Sequence, residues 1–220
     1  MNKVFLYLYP IEEYFKMFLF TDESYYDEWN VPRPLPILNE SITKRYRDNG
    51  YKVVIAIYPD KEIFGIKPEP TDLIIETDVL FSEASGYNSD GSEKPLSEVK
   101  YPSEEYIISK LGEIDELVVG GFHFSDCVKR VAEYANSIGI NTLVDLDMTD
   151  LFFAVYRHPE YFKIEAYSPE NYMEYILGKL DRDNERRQRA LAQFYSMYKS
   201  PIYGMPDEKK LIKWYNYIRW

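Results

Sequence analysis

The sequence is short of cysteine and of positive charge, and it has no long apolar run. One cysteine among 220 residues excludes an intramolecular disulfide and fits a reducing compartment. Lysine and arginine number 26 against 37 acidic residues, which gives a net charge of −11 and argues against a protein that binds nucleic acid by neutralising phosphates. No segment approaches the roughly 20 uninterrupted apolar residues that a membrane span needs. We therefore expect a cytoplasmic protein without a membrane or nucleic-acid partner.

Aromatic residues are abundant instead, at 17% of the chain with 22 tyrosines, so a folded core is expected. Apolar runs bounded by glycine and proline alternate with segments of helical spacing. The predicted strands lie at residues 4–9, 53–58, 73–76, 117–119 and 142–144. The predicted helices lie at residues 11–20, 38–49, 103–111 and 127–138. This βαβ succession predicts an α/β protein, a three-layer αβα fold around a mostly parallel sheet.

Loops and a change of pattern divide the chain further. Residues 21–36 and 59–71 contain prolines and are predicted as connections, and the polar residues 82–101 are predicted as a long surface loop. From about residue 168 onward, apolar residues recur at helical spacing alone. We therefore predict an α/β domain at residues 1–167 and a C-terminal helical extension at residues 168–220. The extension is expected to pack on the domain or at an oligomer or partner interface, and a homo-oligomer is expected.

The single cysteine follows a buried strand. That strand ends at Gly120-Gly121, and Cys127 lies at the first turn of the next helix. Open parallel sheets bind ligands at the carboxyl ends of their strands, and a helix N-terminus stabilises a thiolate. Cys127 is thus a candidate nucleophile, and His123, four residues earlier, is a candidate base. The alternative is that the cysteine only packs in a buried turn and that His123 is structural.

Three segments follow one another in the order and spacing of a known family. Residues 36–54 carry a helix and a strand, and residues 67–75 carry the approach to a third strand. Residues 114–147 carry a strand, a glycine, Cys-Val, a helix ending at Gly139, and an aspartate after the next strand. Over roughly residues 3–155 the chain therefore resembles the isochorismatase-like cysteine hydrolases, which include nicotinamidases and N-carbamoyl amidases. The resemblance implies a Rossmann-like αβα fold and hydrolysis of a small amide or related C–N bond.

The family's chemistry, as the resemblance implies, uses an aspartate as base, a cysteine as nucleophile and a lysine that polarises the site. Cys127 is retained, but the family pattern places Tyr9 at the aspartate and Thr77 at the lysine. Residues 58–62 contain no histidine, so the metal cluster of nicotinamidases has no counterpart and we expect neither a metal nor another cofactor. Asp147 matches the family's acid after the next strand, and we assign it a structural role.

The residues leave two functions open. Because a thiol with a pKa near 8.5 needs a base, and neither Tyr9 nor Thr77 supplies one, we favour a catalytically impaired or inactive protein that acts by small-ligand binding or assembly. Its pocket is expected to be rich in aromatic residues and to include Tyr9. The other candidates for ligand contact are Phe81, Phe122 and Phe124. The alternative is an active cysteine hydrolase in which Cys127 uses a rearranged base such as His123. A carboxylate and an ammonium group flanking the sulfur, from positions outside the family pattern, would overturn the non-catalytic interpretation.

Overall fold

The computed structural model describes residues 1–19, 24, 27 and 33–150 and, for the backbone alone, residues 202–203. Within the long range, the backbone alone is described at positions 125, 146 and 147. The predicted loop at residues 21–36 lies partly outside this set, and so do the helices predicted beyond residue 168.

Six parallel strands form one sheet in the order β3-β2-β1-β4-β5-β6. They are β1 (Lys3–Leu8), β2 (Lys52–Ile57), β3 (Leu73–Glu76), β4 (Glu116–Gly121), β5 (Asn141–Thr149) and β6 (Ile202–Tyr203). The central strands β1, β2 and β4 are near-continuous apolar runs and are buried on both faces, as expected for a parallel sheet covered by helices. The predicted αβα fold class is confirmed.

Five α-helices connect or flank the strands. They are α1 (Glu12–Phe18), α2 (Pro34–Arg45), α3 (Phe81–Ala84), α4 (Glu104–Ser109) and α5 (Lys129–Ser137). A π-helical turn, Phe124–Val128, precedes α5, and 3₁₀ turns lie at Arg47–Asn49 and Leu96–Glu98. The predicted N-cap of α4 is present, because the Ser103 hydroxyl accepts a hydrogen bond from the Tyr106 N–H at 3.2 Å.

Three boundaries differ from the prediction. Helix α2 begins at Pro34, inside the stretch predicted as a loop, because proline is favoured in the first helical turn. Strand β5 continues to Thr149, so Asp147 lies within the strand and not after it, and so does Asp145. The buried Asp145 carboxylate accepts hydrogen bonds from the Arg45 guanidinium at 3.0 and 3.1 Å, which offsets the cost of burying a charge. Strand β6 pairs with β5 within the segment predicted as helical.

Two glycines let the strands approach closely at the centre of the sheet. A Cβ atom on Gly121 would lie 2.2 Å from the carbonyl oxygen of Leu8, and the residue has φ +102°. A Cβ atom on Gly120 would lie 2.8 Å from that of Met148. The Gly-Gly pair therefore allows β1, β4 and β5 to pack closely together. The site described below lies next to this region of the sheet.

No helix in the described part of the chain is both long enough and apolar enough to cross a bilayer.

Candidate functional site

The candidate site lies at the carboxyl edge of the sheet, where the strand order reverses between β1 and β4. Tyr9 follows β1 directly, and the π-helical turn that contains Cys127 follows β4. Open parallel sheets bind ligands at such a switch point. The fold brings Tyr9 and Cys127 together, and both line a crevice that is too narrow to admit water.

Tyr9 is fixed in place by its backbone and by its ring. Its backbone is left-handed, with φ +57°, and its N–H donates to the Ala56 carbonyl at 2.8 Å. The ring is 1% exposed and stacks on Tyr58, with the ring centroids 4.7 Å apart. Burial raises the pKa of the Tyr9 phenol well above its ordinary value, and proximity to Cys127 raises it further. The phenol therefore stays protonated and cannot act as a base at neutral pH.

Cys127 is 9% exposed. Burial and the neighbouring charges raise the pKa of its thiol to about 12. Burial is the largest cause, and the carboxylates of Asp126 and Glu104 act in the same direction. Arg130 and a hydrogen bond to the backbone of His123 act in the opposite direction. The position at the start of a helix is thus outweighed by burial and by two negative charges.

A carboxylate and a cation do flank the sulfur, from positions that the family pattern does not include. Glu104 on α4 and Arg130 on α5 line the crevice together with Cys127. The Arg130 Nε donates to the Glu104 carboxylate, and its guanidinium carbon lies 4.3 Å from the centroid of the Tyr101 ring. The cation is a guanidinium that is paired with the carboxylate. Arg130 lowers the thiol pKa and Glu104 raises it, so the pair leaves the thiol protonated.

Thr77, at the position of the family lysine, turns away from the site. It follows β3, is buried, and lines neither the crevice nor the cleft described below. Its hydroxyl donates to the Val79 carbonyl at 2.8 Å, and its N–H donates to the Ile57 carbonyl at 2.9 Å. The side chain therefore completes a local turn and supplies no positive charge.

His123 lies in the same loop as Cys127, after a cis peptide bond. Its Nδ1 is 3.6 Å from a carboxylate oxygen of Asp150, and its ring packs on Tyr14 with the centroids 4.7 Å apart. The other Asp150 oxygen accepts the Phe124 N–H at 2.6 Å. The imidazole thus has an acidic partner and lines the same cleft as the sulfur.

A cleft of about 490 Å³ opens beside the narrow crevice and shares Cys127 with it. This volume lies in the range of pockets that hold small organic ligands. The lining is mostly apolar. Its phenol and phenyl rings are those of Tyr14, Tyr58, Phe81, Tyr87 and Tyr101. We call this space the aromatic cleft.

The segment predicted as a surface loop forms one wall of the aromatic cleft. Seven of its residues, in the range 84–101, line the cleft. The start of the wall is attached to the rest of the domain, because the Phe81 N–H donates to the Asp60 carboxylate at 2.7 Å. Its two ends are joined to each other, because the Lys100 ammonium donates to the Glu83 carboxylate at 2.5 Å. Residues 82–101 therefore belong to the site.

The aromatic side chains predicted to contact a ligand separate into two groups. Phe81 lines the aromatic cleft. Phe122 and Phe124 do not line it and are 0% and 1% exposed, which corrects the expectation that they form its surface. The reason is local, because the Phe122 ring turns into the core and packs edge-on against Phe15, with the centroids 4.9 Å apart.

Some residues of the site were missed from the sequence. Arg130 lies three positions after Cys127, and this spacing places two side chains on one helix face, so the pattern could have indicated it. Glu104 and Tyr101 come from a segment more than twenty residues earlier, and no local signal links them to the cysteine. Within the described residues, no three His, Cys, Asp or Glu side chains are arranged to hold a metal ion.

Comparisons with known proteins agree with the resemblance seen in the sequence. No family model and no curated protein sequence matches the chain. Among solved structures, the chain is similar to an isochorismatase family protein from Desulfovibrio vulgaris (13% identity, 67% of this chain and 81% of that chain, TM-score 0.41). It is also similar to N-carbamoylsarcosine amidase from Thermoplasma acidophilum (17%, 71% and 94%, TM-score 0.41). A third match is the nicotinamidase of Staphylococcus aureus (12%, 76% and 97%, TM-score 0.39).

At these identities the likeness is one of fold, and the fold follows from the chain's own parallel sheet in the order β3-β2-β1-β4-β5-β6.

Proposed function

We propose that this protein is a divergent isochorismatase-like protein that binds a small organic ligand in the aromatic cleft and does not hydrolyse it through Cys127. One observation carries the proposal. A cleft of ligand size opens onto a thiol whose pKa is raised to about 12. The volume for a ligand is therefore present, while the group that would attack it is protonated.

The thiol pKa determines how much nucleophile is available. A pKa of about 12 leaves roughly one molecule in 10⁵ as thiolate at pH 7, against a few per cent for an ordinary thiol. A base could compensate by removing the proton during attack. The phenol of Tyr9 stands where the resemblance implies that base, and burial raises its pKa as well. Both partners of the expected proton transfer thus favour their protonated forms.

The experiment is a turnover screen combined with a binding screen. Wild-type protein and Cys127→Ala are incubated with small aromatic and aliphatic amides, and ammonia and carboxylate products are followed. We expect no turnover above the Cys127→Ala background, together with ligand-induced stabilisation in a thermal-shift screen of small aromatic compounds. Turnover by the wild type that disappears in Cys127→Ala would overturn the proposal.

The second candidate function, a cysteine hydrolase with a rearranged base, is favoured by the contact between His123 and Asp150. A carboxylate that holds an imidazole beside a cysteine is the arrangement that activates a nucleophilic thiol in other enzymes. The Nδ1–carboxylate distance is 3.6 Å. This candidate requires that His123→Gln and Cys127→Ala abolish the same turnover, which is measured by adding His123→Gln to the turnover screen.

Assembly is the remaining part of the proposal. We expect the full chain to form a homo-oligomer, with the C-terminal extension as the interface. Light scattering coupled to size-exclusion chromatography tests this, because a monomer has a mass of 26.2 kDa. A single species of that mass at all concentrations would exclude assembly and leave ligand binding as the function.

A further inference from the structure

We infer that the aromatic cleft selects an organic cation, a protonated amine or quaternary ammonium group on a planar or apolar body. The inference rests on the proposed ligand-binding function and adds the charge of the ligand to it. Three features of the cleft carry it: the sign of its charged residues, one carboxylate without a partner, and tyrosine rings.

The charged groups that line the cleft are acidic. Glu13 and Asp126 contribute carboxylates, and no lysine or arginine is among the lining residues. His123 is the one further titratable nitrogen in the lining. An anionic ligand would meet two carboxylates in a partly desolvated space, where like charges repel strongly. The net charge of −11 also lowers the local concentration of anions and raises that of cations.

The two carboxylates differ in what they contact. Glu13 is paired with the Lys61 ammonium. Asp126 is half-buried, and within the described part of the chain no side chain lies at hydrogen-bond or ion-pair distance from its carboxylate. The nearby cations have other partners, since Arg130 binds Glu104 and Lys129 binds Glu133 at 3.3 Å. A half-buried carboxylate gains more from a cation than a solvated one does, so Asp126 is the group that a bound cation would neutralise.

The aromatic rings supply the second attraction. The face of a phenyl or phenol ring is electronegative and attracts cations, most strongly where water is excluded. Two rings of the cleft already hold cations of the protein. The Lys61 ammonium lies 4.4 Å from the centroid of Phe81, and the Arg130 guanidinium lies 4.3 Å from that of Tyr101. Neither of these contacts engages Tyr14, Tyr58 or Tyr87, whose rings also line the cleft.

The phenol groups fit a cation with an apolar body. The hydroxyls of Tyr14 and Tyr58 are 3.3 Å apart and form one hydrogen bond, and both oxygens keep a lone pair that can accept from the N–H of a protonated amine. Burial keeps both phenols neutral, because it raises the pKa of each above its ordinary value. The exposed side chains of Met17 and Leu96 extend the apolar surface toward the mouth of the cleft. The cation is therefore expected to lie near Asp126 and its apolar body to lie toward the mouth.

The test uses three probes of similar size on the full chain: benzyltrimethylammonium, benzyl alcohol and phenylacetate. Isothermal titration calorimetry gives each Kd. We expect the cation to bind about ten-fold tighter than the neutral alcohol, and phenylacetate to bind more weakly than either. Asp126→Asn is expected to remove that advantage, to leave the alcohol affinity unchanged, and to melt at nearly the same temperature. Asp126→Glu is expected to restore the preference, and the exposed Glu62→Gln, which removes the same charge outside the cleft, is expected to retain it.

The outcomes separate the inference from the function on which it rests. Equal affinities for the cation and the alcohol, with no effect of Asp126→Asn, would overturn the inference and leave ligand binding in place. A cation preference lost equally in Glu62→Gln would also overturn it, because the cause would be net charge. Cysteine-dependent turnover would overturn the proposed function while the charge preference could still be measured. If none of the three probes binds at about 1 mM, a concentration that detects very weak complexes, the result would count against both the inference and the proposed function.

Discussion

The narrow crevice around Cys127 and the adjacent aromatic cleft share the sulfur but have opposite character. The crevice is closed by the Tyr9 ring and by the Arg130–Glu104 pair, and water does not enter it. The cleft holds about 490 Å³ of accessible space and reaches the solvent. The space around the sulfur is therefore filled, whereas the adjacent cleft is open to a ligand.

One substitution accounts for much of this difference. A carboxylate at position 9 would be small and charged, whereas the tyrosine is large and neutral. Its ring occupies the space next to the sulfur and stacks on Tyr58, which in turn lines the aromatic cleft. The same ring thus excludes water from the thiol and supports the aromatic surface. The narrow crevice and the aromatic cleft therefore depend on one side chain.

The largest expected effect is on thiol reactivity. Because the thiolate is the reacting form, a pKa of about 12 predicts that iodoacetamide modifies folded Cys127 at pH 8 about 10³-fold more slowly than an ordinary thiol. The rate should still be rising at pH 10. The same protein in denaturant, followed by mass spectrometry, is the control. A folded-state rate that reaches a plateau by about pH 7 would show that the crevice activates the sulfur.

The second prediction contrasts one glycine from each region. Gly121→Ala places a Cβ atom 2.2 Å from the Leu8 carbonyl oxygen at φ +102°, so we expect a loss of roughly 3 to 5 kcal/mol of unfolding free energy, or no folded protein. Gly86→Ala, in the wall of the aromatic cleft, meets no atom within 4 Å and should change stability by less than about 0.5 kcal/mol. Urea denaturation measures both. A large loss in Gly86→Ala would mean that the cleft wall is as tightly packed as the strand junction.

The third prediction contrasts two phenylalanines that sequence reasoning placed in one pocket. Phe124 is 1% exposed, and Phe124→Ala should cost about 3 kcal/mol by leaving a core cavity. Phe81 lines the aromatic cleft, so Phe81→Ala should cost about 1 kcal/mol and should weaken ligand binding. Thermal denaturation and calorimetry with benzyltrimethylammonium distinguish the two effects. The separation of core from cleft would be wrong if Phe81→Ala proved the more destabilising variant.

How far the sequence predicts this molecule depends on how local the signal is. The strands were predicted because β1, β2 and β4 are continuous apolar runs that end at glycine, proline or charged residues. The end of β5 was not, because Asp145 looks like the end of a strand. Its burial depends on Arg45, 100 residues earlier in the chain. The start of α2 was missed because Pro34 suits both a loop and a first helical turn.

The residues of the site also divide into those with a local sequence signal and those without one. Cys127 and Tyr9 were placed at the correct sheet edge because each directly follows a strand or a short turn. The flanking pair of Glu104 and Arg130 was not found, because it joins two helices and has no shared motif. The orientation of Phe122 was not predictable either, since a turn after a strand can direct a ring to the core or to the cleft.

The smallest expected effect is a pH dependence of cation binding. This effect depends on the Asp126 carboxylate in the cleft and not on the Cys127 thiol in the crevice. Burial raises the pKa of Asp126, Glu104 also raises it, and Arg130, His123 and Lys129 lower it. A cation binds the ionised form, so its affinity is complete above this raised pKa and decreases as the pH falls through it.

The affinity for the cation cannot decrease by more than the factor that the charge contributes, which is about ten-fold. Calorimetry with benzyltrimethylammonium between pH 4 and 8 measures it, and Asp126→Asn should abolish the slope. His123 lines the same cleft as Asp126, so His123→Gln must keep the slope if Asp126 is its source. An equal slope for benzyl alcohol would instead indicate a pH-dependent change in the cleft itself.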